Sequence, residues 1–400
     1  MQIFLGVIVG FIVLTLLVVA HEFGHFIAAV KSGVKVNEFG VGFPPRAIGW
    51  IKKQGKWTKL PKSEWGKPQK SLIISLNWLP IGGFCTMNGE SDADTKPHTF
   101  GATTFWQKTK ILFGGVIANW LIGFIILTIL AWTGMPLFLE DQFMPASDVR
   151  ITTKPVVIQE IQSKSPAAKA KLKPNDQILK ANRTDIIFSQ DLVKFNQKHA
   201  NQTVKYTIKR GEKIKTLKIK LNPKNHKSKQ LLGVTMSQAG QPLMRTTWSA
   251  PIVGAVTTAQ ITKETFKGLG DMVYNLGSGL ASQFSTNGTT RSAGRANIKK
   301  AGDSVSGPVG IIGVIFPAFT AAGPTNLAFL AALISISLAC LNVLPIPALD
   351  GGRWLLIAIF RLRGKKLSKE TENRIVSRAF VALLVLIALI TILDISRFIK

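Results

Sequence analysis

The chain is 400 residues long, 46% hydrophobic, and carries 50 Lys and Arg against 21 Asp and Glu, a formal net charge of +29. Such a charge invites a nucleic-acid reading, but the basic residues are scattered and no nucleic-acid motif accompanies them, so no nucleic-acid partner is expected. Only two cysteines exist, Cys85 and Cys340, both in apolar surroundings, which excludes a disulfide framework and a cysteine-rich zinc module.

The apolar residues concentrate in four blocks, 3–30, 111–133, 326–349 and 379–395. Each reaches or approaches the roughly 20 residues that cross a bilayer as a helix. The pattern predicts a multi-pass α-helical membrane protein with about four transmembrane helices. The first block has no Lys or Arg before its apolar core and no small-residue cleavage site after Ala20, so it reads as a retained span and not a removed signal. Its end, LLVVAHEFGHFIAAVKSG from Leu16 to Gly33, sets His21, Glu22 and His25 inside hydrocarbon.

Residues 150–222 read as a small soluble α+β domain. Val204, Tyr206 and Ile208 alternate with polar residues, Arg210-Gly211-Glu212 turns the chain, and Ile214, Leu217, Ile219 and Leu221 follow. That is a hairpin signal, with an irregularity expected between Ile214 and Leu217. Upstream, SPAAKAKLKPNDQILKANRTDI predicts a short helix, a turn and a strand. Residues 240–325 are expected to form an amphipathic helix, a Gly/Ser/Thr/Asn-rich linker near 278–297, and a short interfacial or re-entrant stretch at Ile311–Phe319 ending at Pro317. The segments 1–133 and 326–400 are the two halves of the membrane core.

Lys and Arg beside spans prefer the cytoplasmic side. Lys31, Lys35, Arg46, Lys108 and Lys110 flank the loop between the first two blocks, and Arg361, Arg363, Lys365, Lys369, Arg374 and Arg378 lie between the last two. The segment from the second block to Asp148 has neither Lys nor Arg, and Ala301–Asn326 is equally bare. This predicts a cell-membrane protein whose N-terminus and 150–222 domain are extracytoplasmic.

His21 and His25 are four residues apart and so share one helix face. Two imidazoles so placed can hold one zinc ion, with Glu22 between them as base. The alternative, two histidines bonded to neighbouring helices, leaves a carboxylate in hydrocarbon with no compensating role. A hydrolytic zinc site takes three protein ligands. His98, His199 and His226 lie in polar segments, whereas Asp350, in LNVLPIPALDGGRW, closes the third block where Pro345 and Pro347 break the helix. His25 lies six residues before Lys31, roughly 9 Å along a helix, and so near the inner leaflet, as does Asp350 by the same orientation. Asp350 could also simply cap the next helix. Asn342 carries an amide able to meet a substrate backbone or an oxyanion, or to bond a neighbouring helix.

These residues resemble the site-2 protease family of intramembrane zinc metalloproteases, in its regulator-of-sigma-E branch. HEFGH is similar to its HExxH, NVLPIPALDGG to its C-terminal Asn-to-Asp-Gly segment, and SGPVGIIG to a further signature. EFGVGFPP and WLPIGGFCTMNGE resemble its membrane-associated, β-rich inner loop. The resemblance implies zinc ligands His21, His25 and Asp350, a catalytic Glu22, a substrate-side Asn342 and a single PDZ domain at 150–222. It also implies single-span membrane protein substrates, such as pre-trimmed anti-sigma factors or remnant signal peptides, cleaved within the lipid bilayer. In a PDZ domain the loop before Ile158 would capture a terminal carboxylate, but Lys154-Pro155 lacks glycine and Pro155 has no N–H to give, which favours a size gate over tail binding. A catalytically silent membrane scaffold and a zinc transporter are the rivals. The first would have lost Glu22 or a ligand, and the second would show internal repeats.

Overall fold

A computed structural model describes the chain except residues 1, 54, 68, 70, 140, 153–154, 187, 224–230, 239–241, 304–305, 366 and 400. Lys154 and His226 therefore lie outside the described residues. Residues 1–129 with 251–400 form one compact unit and residues 130–250 another.

In the first unit, helix α1 (Gln2–Lys31) leads into three antiparallel strands, β1 (Val36–Lys53), β2 (Lys56–Lys59) and β3 (Ile73–Met87), ordered β2-β1-β3. Helix α2 (Phe105–Thr133) follows. Strands β1 and β3 bend near Gly42 and Gly82, which adopt φ of +77° and +73° that only glycine tolerates easily. The folded-back sheet lies along α1: Gly83 backs onto Val19, and the Thr15 hydroxyl donates to the Pro80 carbonyl at 2.8 Å. α1 and α2 meet through small residues. A Cβ on Gly114 would come within 2.6 Å of the Gly24 carbonyl oxygen, and Ala28 and Ala118 flank the contact. Without a hydrophobic driving force between helices, such close backbone approach is how apolar helices gain packing energy.

The second unit holds β4 (Met135–Pro136), β5 (Arg150–Thr152), β6 (Val156–Ile161), α3 (Pro166–Lys169), β7 (Gln177–Ala181), β8 (Thr184–Asp185) and α4 (Ser189–Lys198). It closes with β9 (Thr203–Arg210), β10 (Lys213–Lys220), β11 (Val234–Gln238) and β12 (Leu243–Arg245). The main sheet runs β10-β9-β7-β6-β11, and β4, β12 and β5 form a small second sheet. The module thus reaches past the 150–222 expected from sequence, because β11 completes the sheet. β6 is paired by β7 at Val156 and Val157 and by β11 from Val156 to Ile161, so β11 and not β6 ends the sheet, and the argument from Lys154-Pro155 against tail binding does not apply. The β9–β10 hairpin pairs in unbroken register from Lys213↔Arg210 to Lys220↔Thr203, without the expected irregularity. Leu217 and Ile219 face the core while Ile214 points the other way and stays exposed, so the sequence broke its alternation with no break in pairing.

Back in the first unit come α5 (Ala250–Gln283), α6 (Gly288–Asp303), α7 (Pro308–Gly310), a π-helical turn Ile311–Ile315, and α8 (Phe316–Ala321). The last three helices are α9 (Pro324–Val343), α10 (Asp350–Leu362) and α11 (Lys369–Ile399). The expected linker near 278–297 is mostly helix. Its glycines serve packing, since Cβ atoms on Gly279 or Gly294 would meet the other's carbonyl oxygen at 2.9 Å. The stretch expected at Ile311–Phe319 continues through Pro317, and the π turn before Phe316 accommodates the N–H that proline lacks. Phe316 and Pro317 pack onto Gly10 and Gly6 of α1. Among the described residues, four helices, Ile3–Lys31, Phe105–Thr133, Pro324–Val343 and Lys369–Ile392, are long and apolar enough to cross a membrane.

The second unit has its own core, in which Val156, Ile158, Ile178, Leu192, Tyr206 and Ile208 are almost fully buried. Next to it, Arg210 grips the buried Asp176 with two hydrogen bonds of 2.6 Å, and the Lys173 N–H donates at 2.8 Å. Burial alone would raise the Asp176 pKa, but Arg210 and Lys173 outweigh it and hold the carboxyl below the usual carboxylate range. The stabilisation is therefore complete above the unfolded value of about 3.9 and is lost as pH falls through the lower folded value. Asp176→Asn should destabilise the module by about 2–3 kcal/mol at pH 7, since it strands the guanidinium. It should also flatten the acid dependence below about pH 4. Hydrogen exchange of residues 156–221 in the full chain measures both; unchanged protection at pH 7 contradicts the assignment.

Candidate metal centre

The HEFGH segment lies on the last turns of α1, so His21 and His25 stack one turn apart with rings at 84° and centroids 4.7 Å apart. Asp350 is delivered from the other end of the chain. α9 stops at Val343, and residues 344–349 fold back across the start of α10, where Val343 and Ile346 carbonyls press onto Gly351 and Gly352. Any side chain at either glycine would collide with backbone. Asp350 becomes the first residue of α10, and Trp354 locks that helix by donating to the Thr109 hydroxyl at 2.9 Å between Phe105 and Phe113.

Three atoms converge. His21 Nε2 is 3.1 Å from Asp350 Oδ2, His25 Nε2 is 3.4 Å from the same oxygen, and the two nitrogens are 3.1 Å apart. Ligands ~2.0–2.1 Å from a tetrahedral zinc stand ~3.3 Å from one another, so the triangle has the size that zinc requires. Among the described residues this is the one group of three His, Cys, Asp or Glu side chains able to share an ion. His25 Nδ1–H donates to the Ile111 carbonyl at 2.8 Å, which leaves the Nε2 lone pair for a metal.

Glu22 lines the same cavity, of about 290 Å³, near the Cys85 backbone, and does not join the triangle. Asn342 lines the cavity as well, with Nδ2 donating to the Leu338 carbonyl of its own helix at 3.0 Å, so one amide N–H remains for another acceptor. Beyond Asp350 and Arg353 a second cavity of about 840 Å³ adjoins, lined in part by Glu90, Asp94, Lys96 and Glu372.

Sequence reasoning gave Gly115 no role at the site. A Cβ there would lie 2.6 Å from His25 Nε2 and 2.7 Å from His21 Nε2, inside the space the three donors enclose. The missing side chain keeps the space between the three donors open. The paired glycines in an otherwise bulky apolar span were the available signal.

Two imidazoles and one carboxylate around a zinc-sized gap, with a second carboxylate in the same cavity, form a candidate metal centre. The chain belongs to peptidase family M50, whose profile matches residues 9–387. This is the site-2 protease family, a family of zinc metalloproteases. A Clostridium acetobutylicum protein described as a candidate zinc metalloprotease is 28% identical over 98% of both chains. The regulator of sigma-W protease RasP of Bacillus subtilis is 23% identical over 98% of this chain and 99% of its own. Among solved structures, the PDZ domain of an SdrC-like protein of Listeria monocytogenes matches 22% of this chain and 92% of its own, at 25% identity and a TM-score of 0.20.

Gly115→Ala should lose most of its zinc while remaining folded, whereas Gly268→Ala, whose Cβ meets nothing within 4 Å, should keep it. Metal analysis of the purified variants decides this. Full zinc in the Gly115 variant would place the ion elsewhere.

Proposed function

We propose that this chain is an intramembrane endopeptidase that hydrolyses peptide bonds in or near the transmembrane segment of single-span membrane proteins. The observation that carries the reading is the convergence of His21, His25 and Asp350 beside Glu22, with both histidines and Glu22 on a helix long and apolar enough to cross a bilayer. Substrates of the regulated-proteolysis type, pre-trimmed anti-sigma factors or remnant signal peptides, fit that position, and a relative named for regulating a sigma factor supports them. The silent-scaffold alternative is disfavoured because the ligands and the base are all present in one cavity.

His21, His25 and Asp350 would hold the zinc. When bound, zinc supplies Lewis acidity that brings the pKa of a water molecule toward about 7. Glu22 takes the proton of the attacking water and returns it to the leaving amine. The remaining Asn342 N–H can hold the substrate backbone or the oxygen that becomes negative as the carbonyl is attacked. Roles divide cleanly. Glu22→Gln should lower cleavage of a labelled span peptide by about 10²–10⁴-fold or more while zinc stays near stoichiometric. Asp350→Ala should weaken zinc binding as well as activity. Full zinc affinity in the Asp350 variant removes it from the ligand set.

The charge distribution supports an orientation with the N-terminus and the 130–250 unit outside the cytoplasm and the centre near the inner leaflet. In a variant without Cys85 and Cys340, a cysteine at the exposed Lys365 should resist an impermeant thiol reagent in intact cells, and one at the exposed Lys205 should react. The reverse pattern inverts the topology.

A further inference from the structure

Zinc needs the Nε2 lone pair of both histidines, so both rings must carry their hydrogen on Nδ1. The Ile111 carbonyl enforces this for His25. For His21, the atom facing Nδ1 is the side-chain amide of Asn119, almost completely buried on α2, with its nitrogen 3.4 Å away. An amide nitrogen cannot accept a hydrogen bond. In that orientation His21 would have to carry its hydrogen on Nε2, aimed at the metal triangle. Nothing holds the amide that way round, because its oxygen, Asn119 Oδ1, is buried with no hydrogen-bond partner. Amide oxygen and nitrogen differ only by a half-turn about the terminal bond.

We propose that Asn119 is the positioning residue for His21: turned by that half-turn, its oxygen accepts the Nδ1–H, fixes the tautomer and presents Nε2 to the metal. The backbone is built for it. The Asn119 carbonyl accepts the Ser335 hydroxyl at 2.8 Å, which pins this turn of α2 to α9, the helix that leads to Asp350. Gly115, one turn earlier on the same face, leaves the gap for the ion, and Asn119 orients the ring that bounds it. An amide buried in an apolar span thereby has a function, and the two histidines acquire matching partners: a backbone carbonyl and a side-chain carbonyl.

The proposal rests on the zinc reading, and the experiment separates the two. Zinc affinity is measured by chelator competition on the purified full-length protein in the Glu22→Gln background, which prevents self-cleavage. The absorption of the cobalt-substituted protein is recorded alongside. Asn119→Ala and Asn119→Leu should each bind zinc about 10–100-fold more weakly and shift the cobalt spectrum, the range typical for lost outer partners of metal histidines. Asn119→Asp, whose carboxylate accepts the same N–H, should restore affinity to within about threefold of the parent. Alanine affinity within about twofold of the parent, or an aspartate variant as weak as alanine, overturns the role of Asn119. If the leucine variant does not fold, the alanine and aspartate pair still decides. A parent protein that binds no zinc would sink the metal reading itself.

Discussion

The structure depends on how closely the backbones of α1 and α2 approach at Gly24 and Gly114. Helices carrying ordinary side chains pack 8–10 Å apart, and at that spacing the HEFGH face would meet a layer of side chains from α2. Here the small residues bring the axes together, and the next residue, Gly115, lies against both imidazoles. The centre is thus a gap in α2 as much as a motif on α1. Neither is enough alone. The histidines supply donors, and the glycines decide that the donors enclose a volume an ion can occupy.

The third donor needs a different device, because Asp350 arrives from some 325 residues further along the chain. Prolines 345 and 347 cannot donate backbone hydrogen bonds, so α9 cannot run on, and the chain folds back over Gly351 and Gly352. One turn after Asp350, Arg353 donates from Nε to the buried Glu372 carboxylate of α11 at 3.1 Å, lies over the Phe100 ring and bonds the Glu90 carbonyl. Glu372 also accepts from the Ser91 hydroxyl and the Asp92 N–H, while Lys108 pairs with Asp92 at 2.5 Å. Removing one member would leave a buried charge uncompensated, which costs far more than the pair contributes. The network ties α2, α10, α11 and the segment after β3 together, and so fixes where α10, and Asp350 with it, begins.

Much of this was legible in the sequence, and the rest was hidden for physical reasons. The i,i+4 histidines with an acid between them, and the one acid placed at a broken apolar block, are chemical signals that survive without coordinates. The enclosing parts are not. Gly115 acts through a side chain it lacks, and Asn119 in a lipid-type helix reads equally well as a helix–helix hydrogen bond. Composition misled at 278–297, where glycine and serine look like a linker but serve the close contact of α5 with α6. β11 was missed because a short strand far along the chain from β6, the strand it pairs with, carries no local sign of its partner, and Ile214 suggested an irregularity only because one exposed apolar residue broke the alternation.

Hydrolysis requires water at a site whose surroundings are otherwise apolar, and α1 shows how both demands are met on one helix. Its first half is hydrocarbon, sealed at Gly6 and Gly10 by Pro317 and Phe316. Its last turns face a polar cavity that adjoins the larger one lined by Glu90, Arg353 and Glu372. The charged groups therefore gather at one end of the helix. A polar group buried without partners costs several kcal/mol in a lipid-like interior, so a channel along the whole helix would be expensive. Confining the polar groups to one end, where they satisfy one another, limits that cost.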